Sequence, residues 1–296
     1  MKIESPSANG FLIYLHIQKT AGITVQRLLR RKMGRSIPAR AMGLFVGQSQ
    51  GVDTLSALKA KRFSDRYFVG HICYGVHKHL PTPNYYAAFL RDPVDRLISL
   101  YKYSNSNPTA YYHDYAKDRS IEEFLLDSGL MELDNGMTRF IAGSDSDLFI
   151  NRTPIGNCGE DLLEKAKENI RNSFVTVGIT ERFDESILVL AKILGWRNAY
   201  YFSRNRASAG DGEHHKRGLA SDQLRQTLEE KNSLDRRLYS FAQSKLDEQI
   251  ESLDGDFEAT LSRFQRRNQL FQKTMGPFFE FYSNAKNRFH GKGTPH

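Results

Sequence analysis

Phe11-Leu-Ile-Tyr-Leu15, followed directly by His16-Ile-Gln-Lys19-Thr20-Ala21-Gly22-Ile23-Thr24, decides the fold class. Five apolar residues in unbroken succession are the pattern of a short strand buried on both faces, as in a parallel sheet. A polar turn follows, and Ile23 to Met33 then has helical spacing. Strand, turn and helix in that order open a βαβ architecture. At such a turn, backbone N–H groups and the helix N-terminus converge on one point and make an anion site. Lys19 adds a full positive charge there, and Thr20 and Thr24 add hydroxyls. A phosphate group is the natural occupant; a tight turn with an exposed lysine is the plain alternative.

Outward from that segment, Tyr67-Phe-Val69, Tyr85 to Leu90 and Phe174 to Ile179 read as further buried strands, and Asn198 to Phe202 as a last one. Asp92 suits the N-cap of a helix, Pro93 its first position and Asp95 its first turn. An amphipathic helix follows the fourth strand and stops at Gly195. Residues 203–218 read as a basic loop and 220–273 as helical throughout. The ends, 1–10 and 283–296, are expected to be flexible. The expected class is α/β: a P-loop-like parallel sheet flanked by helices, with a helical C-terminal part, in a single domain over 1–296.

Composition narrows the functional classes. The chain of 296 residues is 40% hydrophobic with two cysteines, which excludes disordered, coiled-coil and disulfide-scaffold proteins. No apolar run approaches a membrane span, and the first ten residues lack a signal-peptide pattern. The net charge of +8 points to an anionic partner. The first loop is not a Walker A sequence, because Lys19 and Thr20 precede its only glycine. No strand ends in an aspartate that would hold magnesium, so a P-loop nucleotide kinase is the weaker alternative.

A second strand–turn–helix runs through Phe89-Leu-Arg91-Asp-Pro-Val-Asp-Arg-Leu-Ile-Ser99-Leu-Tyr101. Arg91 at a strand's carboxyl end, beside a helix start, is placed to hold a second phosphate, and Ser99 lies about two helical turns on. HIQKTAG followed some seventy residues later by FLRDPVDRLISLY resembles the sulfotransferases that use 3′-phosphoadenosine-5′-phosphosulfate, in particular the glycosaminoglycan 2-O- and 6-O-sulfotransferase type. The resemblance covers about residues 11–250 and implies one sulfotransferase domain. It implies that Lys19, Thr20, Ala21, Gly22, Ile23 and Thr24 form the phosphosulfate loop, and that Arg91 and Ser99 hold the 3′-phosphate. Thr180 falls in the segment near the adenine pocket. Asn135 and Arg139 match an Asn-and-Arg helix segment on the substrate side. Ala21 stands where the family usually has glycine, so either its φ stays negative or the loop is altered.

Sulfuryl transfer needs an in-line acceptor hydroxyl, a base for its proton and a cation on the leaving phosphate. Lys19 is the cation, at roughly 3 kcal/mol of transition-state stabilisation. His71, at the end of Tyr67-Phe-Val-Gly-His71, is the expected base, since imidazole accepts a proton near neutrality. The resemblance agrees, because a Gly-His segment between the two phosphate motifs supplies that family's base. A buried structural histidine is the plain alternative. His77 is the runner-up base or an acceptor contact, and His16 orients the loop. No ligand set completes a metal site from these histidines.

Arg204, Arg206, Lys216 and Arg217 are candidates to close over a nucleotide. Arg27, Arg30, Arg31, Lys32 and Arg35 read as a solvent face or a polysaccharide track. The expected partner is a carbohydrate acceptor, with acidic polysaccharide among the candidates, rather than nucleic acid. A non-catalytic polyanion-binding module is the further alternative. The expected location is cytoplasmic, or the Golgi lumen if an anchor has been removed.

Overall fold

A computed structural model describes residues 10–34, 67–80, 82–144, 149–202 and 220–290, with 277–290 described by backbone alone. The 203–218 loop with its four cations, and Arg35, lie outside the described residues. So do residues 1–9 and 291–296 of the expected flexible ends.

Four parallel strands form the sheet: β1 (Phe11–Leu15), β2 (Tyr67–Gly70), β3 (Asn84–Leu90) and β4 (Phe174–Ile179), in the order β2-β1-β3-β4. The unbroken apolar run of β1 is explained by burial on both faces. Phe11, Ile13 and Leu15 belong to one core cluster, and Leu12 and Tyr14 to the other. Helices cover both faces. On the first lie α5 (Gly136–Ala142), α6 (Glu160–Ser173) and α9 (Ser233–Glu251). On the second lie α1 (Gly22–Met33), α7 (Phe183–Ile193) and Phe264 of α10 (Phe257–His290). A third cluster joins α2 (Pro93–Ser106), α3 (His113–Ala116), α4 (Ile121–Asp127) and α8 (Asp222–Lys231).

The chain leaves β1 to pair β2 on one side and returns to place β3 on the other. Strand order therefore reverses at β1, and ligands of open parallel sheets bind outside the carboxyl ends at such a reversal. The register puts Leu15 beside Gly70 and Ala88, so the segments after β1, β2 and β3 emerge at one edge.

Two expectations are corrected. Asn198–Phe202 adds no strand; Tyr201 donates its backbone N–H to Asn268 of α10, so a side chain takes the place of a sheet partner. The helical region from 220 is interrupted at Asn232 and again before α10, where Gly255 has φ +90°. That left-handed backbone suits glycine and ends the run. The last helix runs to His290.

The first break has a structural use. Asn135 Oδ1 accepts from the N–H groups of Leu234 and Asp235 at the start of α9, at 3.0 and 3.1 Å. Asp235 in turn accepts from Met137 and Thr138 at the start of α5, at 3.1 and 2.7 Å. Each helix thus supplies the other's N-terminal acceptor, satisfying donors that a helix leaves open.

Candidate active site

The loop after β1 builds the first half of the site. Lys19 and Ala21 both adopt left-handed backbone, with φ of 67° and 59°, and α1 starts at Gly22. Ala21 therefore takes the strained alternative: its φ is positive without glycine, at a cost of about 1 kcal/mol. Gly22 and Ile23 lie in the first helical turn, where N–H groups have no intrahelical acceptor. Thr24 donates its N–H to Ala21, and Ile23 exposes its side chain. Thr20 is fully buried, and its hydroxyl donates to the Ile17 carbonyl at 2.9 Å. Its direct role is to hold the turn closed.

Gly22 is required by packing. A Cβ there would fall 1.8 Å from the His16 ring. The buried His16 ring stacks on His71, with centroids 4.3 Å apart and planes 28° from parallel. His71 Nδ1 lies 2.7 Å from the His16 carbonyl oxygen. A carbonyl only accepts, so Nδ1 carries the proton and Nε2 is the basic nitrogen of the neutral ring. Burial holds the His71 pKa below the usual histidine value, opposed by that hydrogen bond. Burial, followed by His71 and Lys19, holds His16 well below it. Both rings are therefore neutral at neutral pH.

His77, in a 3-10 turn at Val76–His79, has the opposite polarity. The Tyr86 hydroxyl oxygen accepts from the N–H groups of Gly75 and His77, at 3.2 and 3.0 Å. Its own proton is then directed to His77 Nδ1, 3.0 Å away. That leaves a proton on Nε2, so His77 presents a donor where His71 presents a base. Between the two candidate bases, hydrogen bonding favours His71.

The second half of the site comes from β3 and α2. Asp92 caps α2 by accepting from Asp95 N–H at 2.9 Å, and Pro93 occupies its first turn. Arg91 Nη1 donates to the Lys19 carbonyl at 3.2 Å, joining the two strand–turn–helix units across the β1/β3 reversal. Arg91 also lies 3.8 Å from Glu181, which accepts from Asp92 N–H at 3.2 Å. Burial, with Arg91 close by, lowers the Lys19 pKa to about 8. Ser99 is half-buried on α2. Thr180 donates its hydroxyl to the Leu90 carbonyl at 2.8 Å, tying the ends of β3 and β4.

Asn135 and Arg139, expected on the substrate side, are buried and bonded within the fold. Asn135 is buried in the cap described above. Arg139 is fully buried and donates to Asp134, Asn151 and Thr153. With their polar groups engaged internally, both have scaffold positions in this structure. Asn135 also borders a cleft of about 530 Å³ with Leu133, Cys158 and Lys231, whereas Lys19, His71 and Arg91 do not line it.

Three side chains at this edge were missed from sequence. Gln18 donates to Glu132 at 3.2 Å, and that buried carboxylate also takes Tyr112 and Arg96, so the loop is anchored in the third core cluster. Glu181 is the second, and Tyr103 the third, with the Lys19 ammonium 4.1 Å from its ring centroid. Tyr103 is four residues after Ser99, a helical spacing that marks a shared face. Among the described residues, no group of three or more His, Cys, Asp or Glu side chains is placed to hold a metal.

The four-stranded parallel sheet flanked by helices is consistent with the α/β sulfotransferase fold. The sequence model of the galactose-3-O-sulfotransferase family matches residues 2–273, and the chain belongs to that family of carbohydrate sulfotransferases. It is also 25% identical over 281 residues to mouse heparan-sulfate 6-O-sulfotransferase 3, covering 78% of this chain and 56% of the relative. The chain thus spans little more than half the length of that relative. The cytoplasmic expectation is corrected by these relationships, since the galactose and heparan-sulfate sulfotransferases are Golgi-resident. No helix among the described residues is long and apolar enough to cross a membrane.

Proposed function

We propose that the protein moves a sulfuryl group from 3′-phosphoadenosine-5′-phosphosulfate to a carbohydrate hydroxyl by in-line transfer. His71 Nε2 takes the hydroxyl proton as the acceptor oxygen attacks sulfur and the bond from sulfur to the phosphate oxygen breaks. Lys19 balances charge on the departing phosphate, and the first-turn N–H groups of α1 bind the phosphosulfate. Arg91 and Ser99 hold the 3′-phosphate, and His77 offers a donor to the acceptor sugar.

The observation that carries this reading is the hydrogen bond from His71 Nδ1 to the first residue of the anion loop. It gives a neutral imidazole of defined tautomer at the same sheet edge as a partly desolvated lysine. The donor set suits a nucleotide with two separate anionic groups: two cations and a helix start at the strand-order reversal.

The test is transfer of labelled sulfate from the nucleotide donor to galactose-terminated oligosaccharides and to heparan sulfate. Transfer that is lost in both Lys19→Met and His71→Ala is expected. Full activity in either folded variant would remove the corresponding residue from the mechanism.

A further inference from the structure

We infer that Tyr103 is a positioning residue that holds the Lys19 ammonium in the crevice by its aromatic face, an inference that rests on the proposed role of Lys19. Three observations converge. Lys19 Nζ stands 4.1 Å from the Tyr103 ring centroid. The lysine backbone is left-handed, and its carbonyl is held by Arg91, so its side chain leaves from a fixed point. Tyr103 lies on α2 four residues after Ser99, one turn further along the same face.

The chemistry explains why a ring stands there. Among the described residues no carboxylate pairs with Lys19: Glu132 takes Gln18, and Glu181 faces Arg91. A carboxylate at position 103 would restrain the ammonium but also cancel its charge and repel an anionic donor. An aromatic face attracts the cation through its quadrupole and adds no net charge. The crevice stays positive while the lysine is kept from swinging into solvent. The other charged group facing Lys19 is Arg91 after β3; Arg91 and burial both disfavour its protonated form, while His16 beside it is neutral. The ring opposes them. The phenolic hydroxyl has no part in this, so phenylalanine must substitute for it.

The experiment uses the full chain with isotopically labelled lysine, with Lys19→Arg to assign the signal. The Lys19 titration is followed by NMR, and sulfuryl transfer is measured across the same pH range. Tyr103→Leu is expected to lower the Lys19 midpoint by roughly half to one pH unit, with the alkaline loss of activity moving equally. Tyr103→Phe is expected to match the wild type in both. Tyr103→Glu is expected to raise the midpoint yet weaken binding of adenosine 3′,5′-bisphosphate at least tenfold. An unmoved midpoint in Tyr103→Leu, or Tyr103→Phe behaving like Tyr103→Leu, overturns the inference. Retained transfer in Lys19→Met overturns the proposed role of Lys19 instead, and the NMR result stands apart from it.

Discussion

His71 Nδ1 and the main-chain oxygen of His16 are 2.7 Å apart, and the two imidazole rings lie stacked. The contact fixes the tautomer of one ring with the backbone of the other. It also ties the proposed base to the residue that opens the anion loop, so base and loop share one frame.

Loss of the His71 imidazole should therefore remove chemistry without removing the fold. His71→Ala is expected to lower kcat by about 10²–10⁴, the usual range for a general base. Thermal unfolding should stay close to wild type, and the affinity for adenosine 3′,5′-bisphosphate should stay within a few-fold. A kcat within threefold of wild type would exclude the base assignment.

The two titrating groups set the pH profile. His71 must be deprotonated and its pKa is held below 6.5, so activity rises with pH through a value under 6.5. Lys19 must be protonated, and its pKa is lowered to about 8, so activity falls as pH rises through about 8. A plateau around neutrality is expected in kcat/KM for the nucleotide, which reports the free enzyme. Lys19→Arg should extend the alkaline side, because a guanidinium stays charged there.

Adjacent loop positions should respond in opposite directions. Ala21→Gly removes a left-handed alanine and is expected to stabilise the protein by about 1 kcal/mol, or a few degrees in Tm. Gly22→Ala drives a methyl group into the His16 ring and is expected to destabilise it and to cut activity at least a hundredfold. Calorimetry on the two variants, with sulfuryl transfer alongside, checks both signs. A stabilising Gly22→Ala would mean that the His16 ring does not lie over that residue.

How far the site could be read from sequence depended on the distance over which each residue's role is decided. The strands were legible in β1 and β3, because unbroken apolar runs have one cause, burial on both faces. The strand–turn–helix around Lys19 was legible because strand, lysine and helix start are neighbours in sequence. The conformation of Ala21 was not, since its φ is set by the turn around it rather than by the alanine. Asn135 and Arg139 read as substrate residues from local resemblance, whereas their partners Asp235, Asn151 and Thr153 are fixed only by the fold. Tyr103 was within reach: its spacing from Ser99 placed it on the same helix face.

The buried acids should matter more to stability than to chemistry. Asp235 is fully buried, accepts from Thr138 and lies 3.9 Å from the equally buried Arg96. Asp235→Ala leaves that cation without one of its counter-ions and opens the start of α5, at an expected cost of about 3–5 kcal/mol. Asp235→Asn retains one acceptor and should cost less. Urea titration of the two variants measures the difference, and equal losses would place the effect outside the α5 cap.

The exchange of acceptors between α5 and α9 also imposes an order on biosynthesis. A chain emerging from the ribosome presents Asn135 long before Asp235, which is a hundred residues behind it. Until that distant stretch has been translated, the leading amides of α5 have no protein acceptor, and Asn135 has no helix to close. The early strands can pair as they appear, but this joint waits for the late part of the message. Nascent chains halted short of Asn232 should accordingly be protease-sensitive through α5, and resistance should appear only when translation has passed α9.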